Sequence, residues 1–201
     1  MSEIAIIDYG VGNLRSVEKG IEHVGGNCKV INSPDGLSTA DKIVLPGVGA
    51  FGYAMDKLKQ AGFIEPLKEM ISKDVPLLGI CLGKQLLVDA SEESPDATGL
   101  GCISGKVVRF PEGEKVPHIG WNQVSIVEET PLLRGVPDGS YFYFVHSYFA
   151  QPHDGSHVVA TSDYGSKFPC IIAKGNVFGV QFHPEKSQEM GLLILKNYVE
   201  L

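Results

Sequence analysis

A cysteine flanked by two glycines is the residue whose setting first suggests chemistry. The segment Gly79-Ile80-Cys81-Leu82-Gly83 has the form G-x-C-x-G and lies between a predicted strand and a predicted helix. This is the pattern of a nucleophile elbow, in which glycines relieve a sharp turn that aims the central side chain off the end of a strand. The thiol would then lie at a helix N-terminus, which favours the thiolate, and the N–H of Leu82 could stabilise an oxyanion. The alternative is a buried structural cysteine in a tight turn.

A histidine near the C-terminus offers the base that a thiol nucleophile needs. His183 stands in the segment Gln181-Phe182-His183-Pro184-Glu185, just after a predicted strand. A carboxylate two residues later can reach the far ring nitrogen and orient the imidazole. Cys81, His183 and Glu185 are therefore predicted to form a catalytic triad. Taken alone, the segment would favour a surface turn histidine beside a solvated glutamate; it is the cysteine elbow that favours the triad.

The elements that must position these residues alternate through the first half of the chain. Apolar runs predict strands over 4–8, 28–31, 42–45 (stopped by Pro46) and 75–81, and amphipathic stretches predict helices over 14–24, 51–60, 66–72 and from Cys81 to about Ala90. This order predicts an α/β fold with a parallel sheet covered by helices.

The second half has the pattern of short strands separated by turn residues. Strands are predicted over 105–110, 123–127, 140–145, 148–150, 157–161, 170–174 and 176–181, and a last helix over 188–199. Lys174-Gly175-Asn176 has the composition of a tight hairpin turn. We expect antiparallel hairpins added to the sheet and, since no repeat or linker is visible, a single domain over 1–201.

Composition excludes several classes of protein. The 201 residues include 17 basic and 24 acidic side chains, a net charge of −7 that argues against direct binding of nucleic acid. Hydrophobic content of 43% with 20% charged residues is typical of a globular chain, and no apolar run approaches the ~20 residues of a membrane span. There is no secretory signal pattern, and the four cysteines form no CxxC pair. We therefore expect a reduced, cytoplasmic protein without a metal site.

Taken together, these motifs resemble the class I, or triad, glutamine amidotransferases over essentially the whole chain. The cysteine elbow and the FHPE segment at 182–185 are typical of the superfamily. Narrower segments make the resemblance especially close to the glutaminase subunits of imidazole glycerol phosphate synthase in histidine biosynthesis: PGVGAFG at 46–52, PHIGWN at 117–122 and YFVHSY at 143–148. The resemblance implies a flavodoxin-like fold, with a mostly parallel central sheet, flanking helices and added antiparallel strands.

The resemblance also implies roles for individual residues. Cys81, His183 and Glu185 match the family's triad. The oxyanion donors would be the backbone N–H groups of Leu82 and Val48, the latter through a peptide flip that the neighbouring glycines make easy. The remaining implied positions are substrate-binding residues Gly47, Gly49, Gln85, Glu93, Ser147 and Tyr148, and partner-facing residues Asn13, Trp121, Tyr143 and Lys186.

The implied activity is hydrolysis of glutamine to glutamate and ammonia, with neither a metal nor an organic cofactor. Ammonia would pass within a heterodimer to a (β/α)₈ cyclase subunit that makes imidazole glycerol phosphate and aminoimidazole carboxamide ribotide. The free chain is expected to be a poor glutaminase that its partner activates. Two alternatives stay open: the glutaminase subunit of another pathway, such as vitamin B6, purine or anthranilate synthesis, and a catalytically silent module that only docks on a partner.

One residue departs from the family's pattern. Lys84 follows Gly83 at a position where the family usually has methionine. Lys84 lies three residues after Cys81, so its ammonium could stabilise the thiolate. The lysine could also alter a partner contact or reflect an engineered change. The simplest expectation is that the Lys84 side chain extends to solvent.

Overall fold

A central sheet of eight strands organises the molecule in the computed structural model, which describes residues 2–201. In chain order the elements are strands β1 (Glu3–Ile7), β2 (Asn27–Ile31), β3 (Lys42–Gly47), β4 (Leu77–Cys81), β5 (Ala90–Ser91), β6 (Gly105–Arg109), β7 (His118–Gln123), β8 (Ser125–Ile126), β9 (Tyr141–His146), β10 (Tyr148–Pro152), β11 (Val158–Asp163), β12 (Lys167–Lys174) and β13 (Val177–Val180), and helices α1 (Leu14–His23), α2 (Phe51–Gln60), α3 (Ile64–Ser72), α4 (Leu82–Gln85) and α5 (Gln188–Val199). None of these helices is long and apolar enough to cross a membrane.

The strand order of the central sheet is β2-β1-β3-β4-β13-β12-β11-β8. The first five strands in this order are parallel, and β12, β11 and β8 continue the sheet in antiparallel fashion. Successive side chains of a strand point to opposite faces, so the sheet separates two apolar layers. Ile4 and Ile6 pack in the layer that contains α1 and α5, whereas Ala5 and Ile7 pack in the layer that contains α2 and α3.

The parallel arrangement brings four strand ends to one edge of the sheet. β3 and β4 end in register, with Gly47 opposite Cys81, and β13 pairs with the other side of β4. The residues that follow β13 include Gln181 and His183, while Tyr9 follows β1. Since ligands of open α/β sheets bind outside the carboxyl ends of the strands, this edge is where a site is expected.

The predicted α/β class and the parallel first half are confirmed, as are α2, α5 and the hairpin turn between β12 and β13. The second half differs from the prediction in two ways. Only β13, β12, β11 and β8 extend the central sheet; β10-β6-β5 and β7-β9 form two separate small sheets. Strand β7 was not predicted, because its outward-facing residues Ile119 and Trp121 are apolar yet exposed, which reverses the usual pattern of a half-buried strand.

Two predicted boundaries were wrong for identifiable reasons. The helix after Cys81 ends at Gln85 rather than near Ala90. The carbonyl oxygens of Leu86 and Leu87, which a longer helix would use, instead accept hydrogen bonds from the backbone N–H groups of Leu100 and Cys102. Strand β3 continues through Pro46, because pairing with β1 stops at Val44 and the missing N–H of proline breaks no bond on that side.

Candidate active site

Cys81 lies at a sharp turn between β4 and α4. Its φ of +55° is a conformation that side-chain-bearing residues rarely adopt, so the surrounding structure must hold it there. The flanking glycines are required by packing. A Cβ on Gly83 would lie 1.8 Å from the carbonyl oxygen of Leu45, and a Cβ on Gly79 would lie 2.7 Å from the backbone of Gly83. The predicted elbow geometry is therefore present.

His183 and Glu185 are joined by a buried hydrogen bond. The distance from His183 Nδ1 to Glu185 Oε1 is 2.8 Å, and the side chains are 3% and 0% exposed. The backbone holds the ring in place: His183 N–H donates to the carbonyl of Tyr143, and its own carbonyl accepts from Ser187 Oγ. The second ring nitrogen, Nε2, is buried and has no hydrogen-bond partner among residues 2–201, so it is left to exchange a proton.

The electrostatic setting of His183 favours the imidazolium. Burial by itself lowers its pKa, but interactions with the sulfur of Cys81 and the carboxylate of Glu185 outweigh this and raise the pKa to about 9. A histidine ordinarily titrates near 6.5. At neutral pH the protonated ring can therefore both pair with a thiolate and donate a proton to a leaving group.

A cavity of about 300 Å³ opens in front of these residues. Its lining brings together most of the residues predicted to meet the substrate: Val48, Gly49, Cys81, Leu82, Gln85, Glu93, Ser147, Tyr148 and His183, together with Pro117, Val145 and His146. Gly47 lies behind this wall, buried opposite Cys81 in the sheet. Glu93 also has a structural contact, because its Oε2 accepts a 2.8 Å hydrogen bond from the N–H of Phe51 at the start of α2.

The segment predicted to supply the second oxyanion donor has one packed and one open glycine. A Cβ on Gly47 would lie 2.5 Å from the hydroxyl of Tyr9, which donates a 2.9 Å hydrogen bond to the carbonyl of Pro46. Gly49 has φ +93°, and a Cβ on Gly49 would meet nothing within 4 Å. Val48, between the two glycines, is 42% exposed. A peptide rotation in this segment is therefore easiest on the Gly49 side.

The side chains of Lys84, Gln85 and Gln181 form a buried polar cluster beside Cys81. Gln85 donates to the carbonyl of Tyr148 at 2.8 Å and to Gln181 Oε1 at 3.4 Å. Gln181, which the sequence reasoning missed, is fully buried, and its Nε2 lies 3.9 Å from Cys81 Sγ. The sequence feature that could have identified Gln181 is its position two residues before His183, at the end of a buried strand.

Lys84 does not extend to solvent, and that expectation was wrong. The side chain is fully buried, and its Nζ donates to the carbonyl of Pro169 at 2.6 Å and to Gln181 Oε1 at 3.4 Å. Helix α4 packs between the central sheet and β10, so the face that carries residue 84 meets protein and not water. Burial lowers the pKa of Lys84 to about 7, although electrostatic interactions with the sulfur atoms of Cys170 and Cys81 act in the opposite direction.

The histidines beside the cavity have a different setting from His183. His146 Nδ1 lies 2.9 Å from the carbonyl of Tyr148, and its Nε2 lies 3.3 Å from Nδ1 of His118. Burial lowers the pKa of His146 to about 3 and also lowers the pKa of His118. Both rings are neutral at physiological pH and pack among aromatic side chains such as Phe144.

The other three cysteines lack the features of a nucleophile. All four thiols are free. Burial raises the pKa of Cys28 and of Cys102 to about 11, and that of Cys170 to about 12, so each is a protonated thiol at neutral pH. Only Cys81 lies at a strained turn against the cavity.

The residues predicted to face a partner lie near this edge of the sheet. Trp121 and Tyr143 are paired across β7 and β9, with ring centroids 6.1 Å apart, and Trp121 is 46% exposed. Lys186 is exposed beside His183, and Asn13 precedes α1. The backbone carbonyl of Tyr143 accepts a hydrogen bond from the backbone N–H of His183, so this aromatic pair adjoins the main chain that carries the predicted base.

Comparisons with known proteins identify the family of the chain. The family model described as glutamine amidotransferase class-I matches residues 5–200. An imidazole glycerol phosphate synthase subunit HisH 1 from Methanococcus maripaludis is 50% identical, over 98% of this chain and 99% of its own length. The subunit HisH from Syntrophotalea carbinolica is 51% identical, over 98% of this chain and 100% of its own length. The structure of PurLQS from Thermotoga maritima shares the fold, with a TM-score of 0.79 at 20% identity over 100% of this chain and 99% of that one.

Proposed function

Since this chain belongs to the glutamine amidotransferase class-I family and is a glutamine-hydrolysing enzyme, we propose that Cys81, His183 and Glu185 carry out its reaction. The observation that supports this most directly is the placement of Cys81, at φ +55°, and the unpartnered Nε2 of His183 against one cavity. Nucleophile, base and orienting carboxylate are the three parts that a triad mechanism requires.

The reaction begins with attack by the sulfur of Cys81 on the side-chain carbonyl carbon of glutamine. The C–S bond forms, and the carbonyl oxygen becomes an oxyanion that the N–H groups of Leu82 and Val48 stabilise. His183 Nε2 then gives its proton to the amide nitrogen, the C–N bond breaks, and ammonia leaves. Glu185 holds the ring so that Nε2 faces the substrate.

Hydrolysis of the glutamyl thioester completes the cycle. His183, now neutral, takes a proton from water, and the hydroxide attacks the thioester carbon. Collapse of the second oxyanion releases glutamate and restores the thiolate–imidazolium pair. Gln85, Glu93 and the backbone of Ser147 and Tyr148 line the cavity and would hold the amino acid end of the substrate.

The ammonia is used by a second subunit. This chain is the glutaminase subunit of an imidazole glycerol phosphate synthase, and its partner is a (β/α)₈ cyclase that docks on the face bearing Trp121 and Tyr143. The exposed Trp121, packed edge-on against the partly buried Tyr143, supports this, because aromatic side chains are common anchors of interfaces. The coverage and identity of the relatives named as HisH support the assignment as a subunit of this synthase.

The partner also activates the glutaminase. In the free chain Gly49 leaves the Val48 peptide able to take two orientations, and losing one oxyanion donor typically costs ~10²–10³-fold in turnover. Docking beside Val48, which is half-exposed, would select the orientation that points its N–H at the substrate. Free hydrolysis of glutamine, which would release ammonia without use, is thereby limited.

The experiment measures glutamate release by the chain alone, with the cyclase, and with the cyclase and its nucleotide ligand. We expect a low rate alone and an increase in each of the other conditions. Cys81→Ala, the matched control, should be inactive in all three. Equal rates throughout would contradict activation, and no hydrolysis by the complete complex would contradict the proposed function.

Trp121→Ala tests the docking face. Truncation of an aromatic anchor typically costs ~2 kcal/mol or more of binding free energy, so we expect binding to the cyclase to weaken roughly 30-fold. Val127, an exposed residue after the edge strand β8, is the control position, and Val127→Ala should bind as the unmodified chain does. Equal affinities for the two variants would place the interface elsewhere.

A further inference from the structure

Lys84 lies directly behind the cysteine nucleophile and forms part of a donor chain that leads to its sulfur. The ammonium donates to Gln181 Oε1 at 3.4 Å, and Gln181 Nε2 lies 3.9 Å from Cys81 Sγ. The orientation of the Gln181 amide follows from its neighbours: Lys84 and Gln85 both present N–H donors to its oxygen, which leaves the NH₂ group facing the sulfur.

The fold accommodates the lysine at this position. A Cβ on Gly179, in the neighbouring strand β13, would lie 2.7 Å from Lys84 Cγ, so a side chain there would collide with the lysine stem. The carbonyl of Pro169 accepts from Nζ at 2.6 Å and fixes the other end. Lys84 is thus held by contacts along its whole length and is not a side chain caught by chance in the core.

The charge on Lys84 has no carboxylate partner within the described chain. The titratable side chains that face it are Cys81, Cys170 on β12 and His146 on β9. Three other strands pack against α4. Strand β13 has no titratable residue, and the only titratable residue of β3 is Lys42 at its far end. Strand β10 carries Tyr148, whose backbone carbonyl accepts a hydrogen bond from Gln85. A buried ammonium without a carboxylate therefore depends on negative charge at the sulfur of Cys81.

We propose that Lys84 is a positioning residue for the glutaminase reaction: its ammonium orients and polarises Gln181, whose amide N–H then stabilises the negative charge on Cys81 Sγ. The inference rests on the proposed role of Cys81 as the nucleophile. Hydrogen bonds in series strengthen one another in a low-dielectric interior, so the charge of Lys84 acts on the sulfur through the two hydrogen bonds of Gln181. His183 supports the thiolate from the cavity side, and Lys84 supports it from the core side.

The charge state of Lys84 makes the effect depend on pH. Its pKa of about 7 means that the ammonium predominates at pH 6 and the neutral amine predominates at pH 9. Stabilisation of the thiolate by Lys84 is therefore strongest in mild acid and fades as the pH rises. A purely structural role in packing would be independent of pH over this range.

The test is the rate at which iodoacetamide alkylates Cys81 in the full chain, followed by mass spectrometry between pH 6 and pH 9. Lys84→Met removes the charge and keeps the length of the side chain. We expect it to slow alkylation of Cys81 about tenfold at pH 6, because the ammonium that stabilises negative charge on the sulfur is gone, and to have little effect at pH 9. Equal rates at pH 6, or a difference that stays constant with pH, would overturn the inference.

Matched variants separate charge from other effects. Lys42 is also buried, at 7% exposure, and its Nζ donates to the carbonyl of Val199 at the opposite end of β3 from the site. In Lys42→Met, Cys81 should therefore be alkylated at the same rate as in the unmodified chain. Lys84→Gln keeps a donor without a charge and repeats the test if the methionine variant does not fold. In a Gln181→Leu background the effect of Lys84→Met should disappear, and a full effect there would overturn the route through Gln181.

Glutamine hydrolysis measured on the same samples with the cyclase keeps the two proposals distinguishable. Normal hydrolysis by the unmodified chain, without any effect of Lys84 on alkylation, would overturn only the role of Lys84. Alkylation does not require turnover, so the dependence on Lys84 can be observed even if the complex fails to hydrolyse glutamine.

Discussion

His183 and Glu185, two residues apart in the chain, form a 2.8 Å hydrogen bond that is shielded from solvent on both sides. The short helical turn at Pro184–Lys186 brings the glutamate back beneath the ring. Because the carboxylate occupies Nδ1, the other ring nitrogen is directed to the cavity. The pair thereby sets both the orientation of the ring and its tendency to stay protonated.

Replacing Glu185 should change the pH dependence of catalysis. His183→Ala should reduce turnover by ~10²–10⁴-fold, the usual contribution of general acid–base catalysis, and Glu185→Gln should cost less because it keeps the shape. In the unmodified chain the rate should fall above about pH 9, where His183 loses the proton that it gives to ammonia. Glu185→Gln should move this decline to lower pH, since it removes a charge that favours the imidazolium. The measurement is kcat against pH in the complex with cyclase.

Glu200→Gln is the control for Glu185→Gln, because Glu200 is exposed and its only ion pair among residues 2–201 is a 3.8 Å contact with Lys196. Its pH profile should match that of the unmodified chain. An alkaline decline in rate that does not move in Glu185→Gln would show that Glu185 does not raise the pKa of the ring.

The raised pKa of His183 also affects the stability of the fold. Because the folded-state pKa lies above the ordinary value of 6.5, the contribution to stability is fully present below pH 6.5 and is lost as the pH rises through about 9.

Cys81 should be the single site of covalent labelling by an electrophilic glutamine analogue such as a diazo-ketone. One label per chain is expected at Cys81, because the other three thiols stay protonated at neutral pH. Cys81→Ala and Cys81→Ser should abolish hydrolysis and keep the fold. Cys102→Ala, outside the cavity, should keep both the label and the activity. Hydrolysis at the full rate in Cys81→Ala would exclude the mechanism.

The elbow should not tolerate a side chain at Gly83. A Cβ there would lie 1.8 Å from a backbone oxygen of β3, which a rotamer change cannot relieve. We expect Gly83→Ala to lower the free energy of unfolding by about 3 kcal/mol or more, measured by urea denaturation. Gly155→Ala is the matched control, since a Cβ at Gly155 meets nothing within 4 Å, and its effect should be within roughly 0.5 kcal/mol. Similar free energies of unfolding for Gly83→Ala and Gly155→Ala would mean that the backbone of the elbow can rearrange to accept a side chain.

Removing the buried charge of Lys84 should stabilise the protein. Replacement of buried charges by apolar residues of similar volume often gains roughly 1–4 kcal/mol, and we expect a gain of this order for Lys84→Met at pH 7. The gain should shrink as the pH rises. The folded-state pKa of about 7 lies below the unfolded value of 10.5, so between these values only the unfolded chain holds the extra proton, and the unmodified protein becomes more stable with rising pH.

Urea denaturation of both proteins at pH 7, 8.5 and 10 checks this prediction. The difference in free energy of unfolding should fall by up to ~1.4 kcal/mol for each pH unit. Lys42→Met, which also removes hydrogen bonds of a buried lysine to oxygen atoms, should give no comparable gain. A difference that is the same at all three pH values would mean that Lys84 does not titrate in this window.

The sequence by itself determined the class of the fold and the identity of the candidate triad residues. Alternating apolar runs and amphipathic stretches are local patterns, so the first parallel strands and helices α2 and α5 could be predicted from them. The elbow and the FHPE segment could be recognised for the same reason: each is a short stretch whose glycines or proline dictate the local backbone. The pairing of His183 with Glu185 could be predicted as well, because the two residues are only two positions apart in the chain.

Tertiary structure alone decided the features that depend on distant contacts. Helix α4 stops at Gln85 because the segment around Leu100 takes the carbonyl groups that the helix would need, and the periodicity after Cys81 contains no sign of that competition. The second half divides into separate sheets because strand pairing is a choice between partners far apart in the chain. The burial of Lys84 and its contact with Gln181, 97 residues away, follow from how α4 packs on β13. A lysine on a short helix ordinarily reaches water, and only the packed structure shows that this one ends at Gln181, next to Cys81.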